Sequence, residues 1–180
     1  MLKGCGAVTL PLMLSACSWS WFGLNSSAPR AAAHPTGWLS VAPARDFAYM
    51  PALSGHVSPN RIENTAMTGI VLKDDINETV RNSVAKSLQI AGFHLTDGKR
   101  VLSGSIETFT VDDARSPALW TLKMRYVITD AATRKIVFST IKTVKQKSPK
   151  FTNSTIAIEE TVKLSVDALI GDPGFVKAVN

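Results

Sequence analysis

The sequence predicts an α+β domain of two layers: a mostly antiparallel sheet of about four strands with two helices on one face, in the order β-α-β-β-β-α. Two observations carry this reading. Apolar residues recur every three or four positions in two stretches, Ile76-Val80-Val84-Leu88 and Ile158-Val162-Val166-Leu169, the stripe of an amphipathic helix. Between them, residues 119–129 alternate: Trp120, Leu122, Met124, Tyr126 and Ile128 point one way, and Thr121, Lys123, Arg125 and Thr129 the other. That is the habit of an antiparallel strand with one buried and one wet face. Two apolar helix stripes and one apolar sheet face bury one another most economically when both helices cover that face.

The elements follow in order. Residues 67–72, with Ile70, Val71 and Leu72, form a short strand. The first helix opens at Asp75 and Glu78, which have the spacing of a capping box, and carries Ala85 and Ala91 on its apolar side. Gly92 supplies the left-handed residue that ends it. Residues 93–95 lead through an Asp97-Gly98 turn into a strand over 101–111, with Leu102 and Ile106 on one face. The strand over 119–129 and that over 136–144 make a hairpin through the polar turn 130–134. A basic loop, 145–153, contains Pro149. The second helix covers 155–170 and stops at Gly171, because Asp172-Pro173 prevents continuation. Phe175, Val176 and Val179 are placed to form a last helical turn packing back.

Composition sets the outer bounds. With 180 residues, 45% hydrophobic and 19% charged, the chain holds one domain plus an appendage and is not wholly disordered. Two cysteines make no disulfide scaffold. No apolar run reaches the roughly 18 residues of a membrane-spanning helix.

The appendage is N-terminal. Lys3 gives a positive start, residues 6–14 form a short apolar segment interrupted by Pro11, and Ser15-Ala16 stand just before Cys17. This is the order of parts of a secretory leader. Residues 1–16 are therefore expected to be a signal peptide, leaving Cys17 as the single cysteine of the mature chain. Residues 17–61 hold five of the nine prolines and one acidic residue, Asp46, and read as an extended tether. Trp19, Trp21 and Phe22 suit either a headgroup layer or the domain surface; Trp38, Phe47 and Tyr49 are expected to dock part of the tether on the domain. The folded unit is then residues 62–180.

Side chains with chemistry are few. His34 and His56 fall in the tether, and His94 alternates with Phe93 and Leu95 as a surface strand residue; none has the spacing of a metal site. Asp74-Asp75 and Asp112-Asp113 adjoin a helix start and a turn, where capping and turn formation account for them. No nucleophile elbow, phosphate loop or dinucleotide fingerprint is present, so the expectation is a non-enzymatic protein with no catalytic residue, cofactor or metal. Between Asp130 and Glu159 lie Arg134, Lys135, Lys142, Lys145, Lys147 and Lys150 with no acidic residue, and Lys123 and Arg125 extend this basic character onto the polar sheet face. Such a run fits an anionic lipid or acidic protein partner; it fits better a solvated edge where lysines discourage aggregation.

Leu14-Ser15-Ala16-Cys17 resembles the lipobox of bacterial lipoproteins. The resemblance implies cleavage before Cys17 and acylation of that residue, and Ser18 in place of aspartate implies the outer membrane, periplasmic side. Three acyl chains would hold the chain permanently, and that compartment makes nucleic acid a poor partner. The lipobox, proline-broken tether, helix ending Ala91-Gly92-Phe93, hairpin around Tyr126 and final helix approached through Phe151-Thr152-Asn153 together resemble the YajG-like family of outer-membrane lipoproteins. The layout is more weakly similar to the lipopolysaccharide-assembly lipoprotein and to auxiliary lipoproteins of envelope ABC transporters. Ser18 to Phe22 stand where the assembly lipoprotein has Gly-Phe-x-Leu. The expected function is an accessory or scaffold component of the envelope with a protein partner; the alternative is lipid or lipopolysaccharide transport through the basic hairpin.

Overall fold

The computed structural model describes residues 36–96, 98–150 and 152–180. The leader, Cys17, Trp19, Trp21, Phe22 and His34 lie outside the described residues. The fold is α+β, as expected, with more elements than the alternation revealed. Among the described residues seven strands run in chain order, β1 (Ser40–Val41), β2 (Phe47–Tyr49), β3 (Arg61–Asn64), β4 (Ile70–Val71), β5 (Arg100–Asp112), β6 (Ala118–Asp130) and β7 (Ile136–Ser148). The helices among them are α1 (Met50–Leu53), α2 (Ile76–Ile90), α3 (Ser154–Ile170) and α4 (Pro173–Val179), with a 3-10 turn at Ala44–Asp46.

Three strands of 13 residues, β5, β6 and β7, form an antiparallel meander that is the body of the sheet. The alternation in β6 holds throughout: Ala118, Trp120, Leu122, Met124, Tyr126 and Ile128 are buried, while Arg125 is exposed. The buried face receives the stripes of α2 (Ile76, Val80, Val84, Leu88) and α3 (Ile158, Val162, Val166, Leu169) in one continuous core. Tyr126 seals this contact from within, its hydroxyl 2.9 Å from Ser165 Oγ of α3. Phe175 and Val179 of α4 are also buried there.

The boundary at residue 62 is corrected. Leu39 and Phe47 are fully buried and Tyr49 nearly so. Strands β1, β2 and β3 lie one after another along the free edge of β5, all parallel to it, at Val101–Leu102, Gly104–Ile106 and Thr110–Val111 respectively. A sheet expected to be mostly antiparallel therefore carries a composite parallel edge, and β4 folds back antiparallel on β3. The prolines punctuate this edge. Pro43 precedes the 3-10 turn, Pro51 sits in the first turn of α1, and the Pro59 carbonyl accepts from Ile76 N–H at 2.9 Å. Proline is tolerated at an edge and in a first helical turn because no ladder or helix bond is asked of its nitrogen there.

Ala91 closes α2 and Gly92 follows at φ +93°, as a left-handed C-terminal residue should. Asp75 occupies the N-cap position of α2 but makes no side-chain capping bond, so the expected capping box is absent. Instead Asn77 Oδ1 accepts from Glu78 N–H at 2.8 Å. Asn153 and Asp172 do cap α3 and α4, accepting from Thr155 N–H and Gly174 N–H.

Candidate functional site

Among the described residues, the surface left uncovered is the second face of β5–β6–β7, together with the edge of β7. A bulge organises its centre. Ile106 pairs with Met124 and Thr108 with Lys123, so Glu107 is an extra residue. It is aimed at two cations: Lys123 Nζ lies 2.9 Å from Glu107 Oε2, and the Arg125 guanidinium 2.9 Å from Oε1. Hydrogen bonding from Lys123, then from Arg125, holds the Glu107 carboxyl below its ordinary pKa. One carboxylate thus serves two cations, leaving one positive charge uncompensated. The bulge also flips the parity of β5, so Leu102 and Ile106 face the core on even positions and Phe109 and Val111 on odd ones.

The eight basic residues singled out in the sequence do not form one patch. Lys123 and Arg125 sit on the open face. Lys142 pairs with Met124, a buried-face residue, and so projects to the helix side. There its Nζ meets Asp172 Oδ2 at 2.8 Å, while Asp172 also caps α4. That bond is the largest cause of the lowered Asp172 pKa, and it makes Lys142 a strut between β7 and α4. Lys145 and Lys147 lie opposite Thr121 and Leu119 on the open face and have no ion pair among the described residues. Arg134 and Lys135 occupy the β6–β7 turn, and Lys150 the loop before α3. At about 3.4 Å per residue, roughly 37 Å separates Ile136 from Lys147. The basic run is split between two ends of the sheet.

The other candidates resolve individually. His94 is exposed and its ring stacks on Trp38, with centroids 4.2 Å apart at 20°. Trp38 is half exposed, so its docking is shallow compared with that of Phe47 and Tyr49. His56 Nδ1 is 2.8 Å from Ser54 Oγ. Asp112 Oδ1 accepts from Ala114 N–H in the β5–β6 turn at 3.0 Å, as a turn aspartate should. Among the described residues no group of three or more His, Cys, Asp or Glu is placed to hold a metal ion. Nor, among them, is any helix long and apolar enough to cross a membrane.

Glu107 and the composite edge escaped the sequence reading. A break in the spacing of buried apolar residues within 101–111 was the available sign of the bulge. Strands β1 and β2, of two and three residues, are too short to show alternation.

No protein-family model and no curated protein matches the sequence. Solved structures do match in fold. Protein XCC0632 from Xanthomonas campestris, of the DUF330 family, superposes with a TM-score of 0.56 at 15% identity, covering 79% of this chain and 86% of that one. The hypothetical protein CT253 from Chlamydia trachomatis gives 0.48 at 11% identity, over 79% and 99% of the two chains. A PelC dodecamer from Paraburkholderia phytofirmans gives 0.41 at 12% identity, over 74% and 86%. The chain thus shares its fold with XCC0632.

Proposed function

We propose that this chain is exported, cleaved before Cys17 and held by acyl chains on the periplasmic side of the outer membrane, as a YajG-like lipoprotein. There its α+β body acts as a non-catalytic accessory or scaffold for an envelope protein partner. The observation that carries the reading is Leu14-Ser15-Ala16-Cys17 directly behind a short apolar leader. The open sheet face supports the scaffold part. It is a broad surface displaying Lys123, Arg125, Ile141, Lys145 and Lys147, and Ile141, paired with Arg125, is 40% exposed. Such a face suits another protein chain better than a small ligand, which favours concave sites.

Photocrosslinking in intact cells tests this. A crosslinker at Ile141 is expected to capture one discrete envelope protein, and one at Gln89 on α2 is expected to capture none. The same adducts from both positions would defeat the scaffold reading, and a mass showing bare Cys17 would defeat the anchor. Lys145 and Lys147, without ion pairs among the described residues, favour a second reading, lipid or lipopolysaccharide transport. Lys145→Glu with Lys147→Glu should then weaken binding to anionic lipid; unchanged binding removes that reading.

A further inference from the structure

One end of the sheet gathers features that the open face lacks. The described fold begins there at Thr36, on the side of the chain that carries Cys17. Trp38, 52% exposed, is held by backbone bonds around it: Leu39 N–H to the His94 carbonyl at 3.0 Å, and His94 N–H to the Gly37 carbonyl at 2.9 Å. It shares a groove of about 440 Å³ with Lys99, Arg100 and Asp130. At the same end the β6–β7 turn leads into Ile136, 66% exposed, and Val137, 44% exposed.

The turn is braced. Asp130 N–H bonds the Lys135 carbonyl, Arg134 N–H the Asp130 carbonyl, and Ala131 N–H the Lys99 carbonyl, all within 2.9 Å. Thr133 donates to Asp130 Oδ1 through both its N–H and its hydroxyl. Asp130 is the one acidic residue described here, and it is already engaged by Arg100 and Thr133. Arg134 and Lys135 carry no ion pair among the described residues. Among the described residues, four cations (Lys99, Arg100, Arg134, Lys135) gather at this end with the one carboxylate of Asp130.

We infer that this end of the domain docks on the membrane, with Trp38, Ile136 and Val137 entering the headgroup layer and Arg134 and Lys135 holding the phosphates of anionic phospholipid. The inference rests on the lipid-anchor reading and adds to it an orientation, with the strands standing off the surface and the far end, Lys145 and Lys147, pointing away. An indole beside aliphatic side chains and cations is the composition of an interfacial site. Each cation at an anionic surface strengthens partitioning about fivefold. A rigid turn loses little freedom on docking.

The test uses the acylated full chain in vesicles of phosphatidylglycerol and phosphatidylethanolamine, and in phosphatidylcholine alone. A polarity-sensitive dye is placed on Ile136→Cys or, as a control along β7, on Thr143→Cys. Emission from position 136 should at least double and shift blue on phosphatidylglycerol vesicles, while position 143 stays unchanged. Arg134→Gln with Lys135→Gln should lower the docked-to-undocked ratio roughly 25-fold, two cations at about fivefold each. A dye at 136 that stays in water on phosphatidylglycerol, or responds equally on phosphatidylcholine, overturns the docking. Mass spectrometry of the same preparation tests the anchor independently. If Cys17 proves bare, co-sedimentation of that chain with the same vesicles still tests the docking, and loss of dependence on phosphatidylglycerol or on Arg134 and Lys135 refutes it.

Discussion

Phe47→Ala is the sharpest probe of whether residues 36–61 are a tether or part of the fold. Phe47 is fully buried, and its strand pairs with Gly104–Ile106 of β5 beneath the helices. Truncating a buried phenylalanine removes its transfer free energy and leaves a cavity, together about 3–5 kcal/mol. The folded span of about 145 residues unfolds with an entropy near 2.1 cal/mol/K per residue, or about 0.3 kcal/mol/K in total. A loss of about 4 kcal/mol therefore lowers Tm by roughly 13 °C, a large share of the 5–15 kcal/mol that holds a domain of this size. The assay is thermal unfolding followed by near-ultraviolet circular dichroism. Trp38→Ala serves as the control, because a half-exposed ring stacked on His94 should move Tm by only a few degrees. A shift below about 3 °C for Phe47→Ala would mean that this segment is not part of the core, and the composite edge would have to be abandoned.

Gly104→Ala places a Cβ 2.5 Å from the Arg125 carbonyl oxygen, a backbone atom that cannot swing away. The expected cost is about 1–3 kcal/mol, or about 3–10 °C in Tm, while Gly98→Ala, which meets nothing within 4 Å, should be silent in the same melt. Both tyrosines of the chain resist ionisation. Burial, helped by the charge of Glu63, pushes Tyr49 up to about 12, and burial pushes Tyr126 higher still against the opposing bond from Ser165. Because the folded-state pKa is raised, their contribution to stability is complete below pH 10 and drains away as pH climbs through about 12. Phenolate absorbance should therefore be absent at pH 10.5 and then rise together with unfolding; half-ionised tyrosine in the folded protein at pH 10 would contradict the burial.

The long elements were legible because each carries its own period. The α2 and α3 stripes and the alternation of β6 appear in the structure on the faces expected of them, since a helix or strand of a dozen residues repeats its environment often enough to leave a pattern. The face of Lys142 was not legible. Even and odd positions of β7 both mix apolar and polar residues, so only pairing with Met124 reveals that Lys142 reaches toward α4.

Sequence alone determined the α+β class, the hairpin and the strand that precedes it, the two main helices with the glycine that ends each, and the leader-plus-cysteine pattern from which the anchor is proposed. The tertiary structure decided that Ser40–Val41, Phe47–Tyr49 and Arg61–Asn64 complete the edge of β5. It also decided that Glu107 bulges out to hold two cations, that Lys142 braces α4, and that the basic residues do not form one patch. Strands of two to four residues have no period to read, and a bulge or a shared ion pair exists only once distant stretches lie side by side. Their cause is non-local pairing, which no single window of the chain contains.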